Sequence, residues 1–311
     1  SLALASSAYA AGKLNIYNWG NYTNPVLIEK FEKAYDVEVT LDGYDSNETM
    51  LAKVKEGSTG YDIVVPGDYM IKIMVGEGLL AKVEPNKMEN FSNMDPKWVD
   101  VWWDPGRSYS VPWQWGTTSF TVDTKVYSGD INTLKLLFEP PPELQGRINM
   151  LNDMNDVINA ALRYLGYPRC NGDKDQLREA TELLLKAKPY WRTMDYSIIE
   201  KLTSNDVDLS QSWNGAAMRA RAQRPSLAYA YPKEGFTGWM DNAAVLSDAP
   251  NMENAKLFIN FIMDPENAAL ISDFAKYANG ISGSDKFMDP EMLSAPEIVM
   301  PADALTPAFV Q

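Results

Sequence analysis

The sequence predicts an α/β protein of two domains, and three observations carry the prediction. The first third of the chain alternates strand and helix patterns, the signature of a parallel sheet with crossover helices. A chain of 311 residues, 45% hydrophobic and 11% aromatic, holds enough apolar material for one large or two medium cores. No window reaches the uninterrupted apolar length that a bilayer helix needs, and the mean hydropathy is mildly negative.

KLNIYNW reads as a buried first strand. NPVLIEKFEKAY reads as an amphipathic helix with Pro25 in its first turn and Val26, Leu27, Phe31 and Tyr35 turned inward. VEVTLDGY alternates as a strand, and the run from Asp45 to Glu48 opens a helix with a capping-box pattern. YDIVVPG is a further apolar strand ended by Pro66 and Gly67, and Asp68 to Leu80 is a helix again. From SYSVPWQWGTTSFTVDT onward short strands and turns predominate, through the proline-rich FEPPPELQGR. INMLNDMNDVINAALRYLGY is a strand running into a helix, DKDQLREATELLLKAKPYW a helix, DVDLSQSWNGAA strand-like, and MRARAQR a basic helix. LAYAYPKEG and WMDNAAVL are strand-like, and NMENAKLFINFIMDPENAALISDFAKY is helical with a break at Asp264 and Pro265. Repeats and low-complexity tracts are absent from the sequence.

Composition removes several function classes. The absence of histidine excludes Ser-His-Asp and Cys-His catalysis and the usual zinc sites. One cysteine, Cys170, forbids an intrachain disulfide, and in its polar loop it lacks an evident base or cation to activate it. A formal charge of −14 disfavours nucleic acid and anionic membranes as partners and favours cations. No glycine loop of the phosphate-cradling kind is present, and Asp62, Asp68 and Asp241 lack EF-hand spacing, so neither a metal nor another cofactor is expected. Residues 1–12 have the small-x-small pattern of the tail of a secretory leader, which points to export, and they are set outside the fold.

In a parallel sheet, ligands sit beyond the carboxyl ends of the strands. NWGNY follows the first strand, and Pro66-Gly67-Asp68-Tyr69 follows the third, so Trp19, Tyr22 and Tyr69 should be neighbours on one edge. Two more tryptophans stand beside polar groups at apparent strand ends, Trp213 in SQSWNG and Trp239 in GWMDN, with Asp241 close behind. Taken singly, each of these tryptophans is better explained by a core position, but three at apparent strand ends change that balance. Asp153 and Asp156 share a face at a helix start, where local spacing favours a cap of the first turn, about 1 kcal/mol, over carboxylates converging on a cation. Rings with carboxylates suit an ammonium ligand, whose three N–H donors need acceptors and whose charge binds ring faces. They equally suit a sugar site or a glycosidase.

NIYNWGNYTNPVLIEKFEKAYDVEV, YDSNETMLAKV, YDIVVPGDYM, LAKVEPNKMENFSNMDP, YSVPWQWGTTS, WNG, YPKEGFTGWMDN and LFINFIMDPENAA, in that order, resemble the spermidine/putrescine-binding periplasmic proteins of ABC importers. The resemblance implies the two-lobed type II periplasmic-binding-protein fold, with the ligand in the interdomain cleft. By position, 13–117 plus 241–287 would form lobe 1, and 118–240 plus 288–311 lobe 2. The family's ligand residues fall on Trp19, Tyr22, Tyr69, Asp153, Asp156, Trp213, Trp239, Asp241 and Tyr277, and its C-terminal glutamine matches Gln311. Relatives commonly carry an acid where this chain has Asn21 and a serine where it has Gly67. Those departures weaken the case for a second ammonium.

The resemblance therefore implies a periplasmic, monomeric, non-enzymatic protein that captures a small amine such as putrescine or spermidine and hands it to a membrane permease. A ligand with one amine, agmatine or γ-aminobutyrate, is the alternative, with Arg219 or Arg221 as partners for a carboxylate unless they are solvated surface. A carbohydrate-binding protein or glycosidase is the rival from another class.

Overall fold

The computed structural model describes residues 12–304; most of the leader-like segment and Gln311 lie outside them. Gly12, set aside with the leader, is the first residue of β1 (Gly12–Trp19). After it come α1 (Pro25–Tyr35), β2 (Val37–Tyr44), α2 (Asn47–Lys55), β3 (Ile63–Val64) and α3 (Asp68–Gly76). β1 pairs in parallel with both β2 and β3, so the alternating pattern does build crossover units.

Two local expectations shift. Leu27 and Phe31 of α1 are buried, whereas Val26 is 54% and Tyr35 36% exposed. Neighbours on a helix point about 100° apart, so Val26 cannot share the inward face of Leu27. Tyr35 instead lies along the rim, with its ring on Phe31. The cap of α2 is Ser46, whose hydroxyl accepts from the Thr49 amide at 3.1 Å, one residue later than the pattern suggested. Glu48 is thereby freed to receive the Tyr69 hydroxyl at 3.1 Å.

The larger difference is β4 (Ser110–Asp123), one continuous strand where short strands and turns were expected. It is buried along nearly its whole length and carries a bulge between Pro112 and Gln114, where proline interrupts the ladder. Then follow α4 (Lys135–Phe138), β5 (Ile148–Met150), α5 (Met154–Tyr164), α6 (Lys174–Ala187), β6 (Trp191–Met194), α7 (Ile198–Thr203), β7 (Leu209–Trp213), α8 (Asn214–Gln223) and β8 (Leu227–Tyr229). β9 (Thr237–Val245), α9 (Met252–Ile262) and α10 (Pro265–Ala275) complete the regular elements.

All strands join one curled sheet in the order β2-β1-β3-β9-β4-β7-β5-β6, with β8 on β4 outside that run. β4 spans the molecule. Its first part, Ser110 to Thr118, pairs with β9, and its last part, Thr118 to Val122, pairs with β7. The buried apolar side chains divide accordingly. One core gathers residues from Leu14 to Trp113 and from Met240 to Ile281, the other residues from Phe120 to Ala230, and Trp213 packs against both. At the changeover sits Gly116, where a side chain would meet Asn214 Oδ1 at 2.5 Å and the Trp239 ring at 2.8 Å. Glycine here lets the Trp239 ring approach the connecting strand closely.

Candidate functional site

β1 ends at Trp19 and β3 at Val64, so the loops after them open on one edge of the sheet. β9 runs antiparallel to β3, and Gly67 bridges to Asp241. Trp239 is therefore inside the beginning of β9 rather than beyond a strand end, and reaches the same edge because the strand direction is reversed. Trp213 is the last residue of β7 and comes to that edge from the second core.

These elements enclose a cavity of about 250 Å³. Trp19, Asn21, Tyr22, Gly67, Asp68, Tyr69, Asp153, Asp156, Trp213, Trp239, Asp241 and Tyr277 all line it. Arg219 lines it too, whereas Arg221 turns away to a bidentate pair with Glu297. A solvated surface position thus does not describe Arg219.

Aromatic rings pack against one another in the wall. Trp19 and Tyr196 are stacked with centroids 6.3 Å apart, Trp213 stands edge-on to Trp19 at 6.2 Å, and Trp239 meets Tyr277 at 5.2 Å. The Trp19 indole donates to the Val65 carbonyl at 2.8 Å, which fixes the ring at the strand end. Tyr196 is a wall residue the sequence did not reveal. It follows β6, a four-residue strand hidden behind a long helical pattern, and its hydroxyl donates across the cleft to the Gly20 carbonyl at 2.9 Å.

Four carboxylates are buried in this wall, with exposures of 1% for Asp68, 4% for Asp153 and 8% for both Asp156 and Asp241. None of them forms an ion pair with a described residue; each has neutral donors instead. Asp153 caps α5 by accepting the Asp156 amide at 2.9 Å, so the cap and the cavity wall are one residue. Asp156 accepts the Trp213 indole N–H at 2.9 Å, and Asp241 the Tyr22 hydroxyl at 2.7 Å. Asp68 accepts the amides of Tyr69 at 2.7 Å and Met240 at 3.2 Å, which ties α3 to β9.

Burial dominates their ionisation. It lifts Asp68 to about 7 against its two amide donors, and Asp156 to about 6 against the Trp213 N–H. Burial likewise raises Asp153, with Asp156 next to it adding, and raises Asp241 against the Tyr22 hydroxyl. A cation entering this cavity meets acceptors that hold no ion pair with a described residue.

The two departures from the resembled pattern have structural counterparts. Gly67 donates its amide to Asn47 Oδ1 at 3.0 Å, and a Cβ on it would lie 3.2 Å from Asn47 Nδ2, so Asn47 fills the space. Asn21 is exposed and takes a left-handed conformation, φ 54°, which asparagine tolerates, and its carbonyl receives Arg219 Nη1 at 3.4 Å. On the far side of β9, fully buried Arg107 donates to Asn242 Oδ1 at 2.7 Å and to the Trp98 carbonyl at 2.7 Å, pinning the backbone that presents Asp241.

A family model described as bacterial extracellular solute-binding protein matches residues 26–301. The spermidine/putrescine-binding periplasmic protein of Escherichia coli K12 is 34% identical over 94% of this chain and 85% of its own length. The putrescine-binding periplasmic protein SpuD of Pseudomonas aeruginosa is 30% identical over 95% of this chain and 86% of its own. Among solved structures, a putative spermidine/putrescine ABC transporter from Listeria monocytogenes superposes with a TM-score of 0.87 at 31% identity, covering 93% of this chain and 89% of that one. The fold is the two-lobed type II fold of periplasmic substrate-binding proteins, with the cavity in the cleft between the lobes.

Proposed function

The chain belongs to the bacterial extracellular solute-binding protein family, and on that premise we propose that it captures putrescine, spermidine or a related small amine in the periplasm and delivers it to the permease of an ABC importer. One observation carries the choice of ligand: four buried carboxylates, none in an ion pair with a described residue, share a cavity walled by tryptophan and tyrosine rings. An ammonium supplies the missing positive charge and three N–H donors, the rings bind the cation face-on, and the methylenes fill the slot between them. Trp19, Asn21, Tyr22, Gly67, Asp68, Tyr69, Asp153, Asp156, Trp213, Trp239, Asp241 and Tyr277 are the ligand residues in this proposal.

The lobes are proposed as 13–117 plus 241–287, and 118–240 plus the C-terminal segment from 288. Trp19, Tyr22, Tyr69 and Asp241 then belong to one, and Asp153, Asp156 and Trp213 to the other. A ligand that bridges them favours the closed state by as much as it prefers that state to the open one. The protein acts as a monomer and catalyses nothing. Tyr196→Phe tests closure: it retains the ring and loses the hydroxyl bond to Gly20, so putrescine binding is expected to weaken by about fivefold, near 1 kcal/mol.

Arg219 in the cavity wall favours a second reading, a ligand with one amine and a carboxylate at its far end, such as γ-aminobutyrate. Calorimetric titration with putrescine, spermidine, agmatine, γ-aminobutyrate and glucose separates the possibilities. Binding of a diamine with no heat from glucose is expected. Binding of γ-aminobutyrate with none of putrescine moves the assignment to the second reading, and heat from glucose alone overturns both.

A further inference from the structure

Asp156 and Arg163 lie seven residues apart on α5, two turns along one face, and helical side chains lean toward the N-terminus. Both line a separate void of about 10 Å³ behind the ligand cavity, together with Ser119, Gln211 and Thr237. It is the size of one water. Gly235, at φ 106°, leaves room for the guanidinium, since a Cβ there would meet Arg163 Nη1 at 2.6 Å.

The Arg163 head is joined by that of Arg169, just beyond the helix. Nε and Nη2 of Arg163 and all three nitrogens of Arg169 are buried without a hydrogen-bond partner among the described residues. Burial, and then Arg169 beside it, pull Arg163 down to about 10, while the Cys170 thiol acts the other way. Two like charges withdrawn from water are costly unless an opposite charge faces them. Asp156 shares the small void with Arg163, and the charge of Arg169 acts on it.

From its other sides Asp156 has the Trp213 N–H as a neutral donor, and the other titratable groups around it are acids. Asp153 stands on its own helix, Glu48 on α2, Asp68 on α3 and Asp241 on β9, while Tyr69 on α3 and Tyr229 on β8 face it as neutral phenols whose own ionisation it opposes. Against the burial that raises both, Arg169 pulls Asp156 and Asp68 down.

We infer that Arg163 and Arg169 are positioning residues that keep Asp156 a carboxylate, ready for the ligand's ammonium, from behind the cavity wall. Neither touches the ligand. They act through charge across a low-dielectric gap, where a unit charge reaches further than it does in water. The inference rests on the amine reading of the cavity.

The test is putrescine titration of the full protein and of the Arg163→Met, Arg169→Met and Arg169→Lys variants between pH 5.5 and 8.5. Without a guanidinium behind it, Asp156 binds its proton more tightly, and the ammonium must displace that proton. Each Met variant is expected to bind about tenfold more weakly near pH 6, with the gap closing toward pH 8.5, while Arg169→Lys stays within about twofold of the parent, since it keeps the charge. A gap that is constant with pH, or a Lys variant as weak as the Met variant, would mean a packing role and overturn the inference alone. No putrescine binding by the parent at any pH would overturn the amine reading, and the inference with it.

Discussion

Asp241→Asn is expected to weaken putrescine binding by a little more than a hundredfold, while the ligand-free protein melts at the same temperature or higher. Asparagine keeps the size of the side chain and an oxygen for the Tyr22 hydroxyl, which sits 2.7 Å from the carboxylate. Only the charge is lost. Removing one partner of a desolvated ion pair costs roughly 3 kcal/mol or more, because the other ion stays buried without compensation. Without ligand the sign reverses, since Asp241 is 8% exposed, faces Asp68, Asp153 and Asp156, and forms no ion pair with a described residue. Neutralising it relieves repulsion. Calorimetric titration measures the first effect and thermal unfolding the second. A loss below tenfold would place the ammonium at another carboxylate, and a drop of several degrees in ligand-free melting would mark Asp241 as structural.

Trp19, Tyr22 and Tyr69 could be placed on one edge from sequence because the evidence is local. Each follows an apolar run that reads as a strand, and the crossover rule puts the ends of parallel strands together. Asp153 and Asp156 were legible for the same reason, as a helix start. What stayed hidden depends on partners far along the chain. β4 reads as short strands because Pro112 and Gly116 interrupt its propensity, yet pairing with β9, β7 and β8 holds it extended throughout.

Trp239 was placed at a strand end, whereas it lies within β9; only the antiparallel pairing with β3 carries it to the cavity. Tyr196 follows a strand of four residues, too short for any period to register. The roles of Asn47 and Arg219 arise from crossings between segments. Asn47 fills the space beside Gly67, and Arg219 reaches the Asn21 carbonyl from α8, contacts that no spacing rule encodes.

Putrescine affinity is expected to fall about tenfold between pH 7 and pH 6 for each proton exchanged, and the binding heat near neutral pH is expected to depend on the ionisation enthalpy of the buffer. All four cavity carboxylates have folded-state values above the ordinary carboxylate range, with Asp156 at about 6 and Asp68 at about 7. A carboxyl group raised by folding contributes stability that is complete below its unfolded value near 4 and is lost as pH rises through the folded value. So far as these groups govern it, ligand-free melting should therefore fall between pH 5 and pH 8. The ammonium acts in the opposite direction. It stabilises the ionised carboxylates and pulls their values down, so capture expels protons and strengthens as pH rises through 6 to 7. Putrescine keeps its own charge across that window, because a primary amine titrates near 10. The rise in melting temperature on adding saturating putrescine should accordingly be larger at pH 8 than at pH 5. A dissociation constant that is flat from pH 5.5 to 8, with a binding heat independent of buffer, would mean that the ammonium meets carboxylates already ionised.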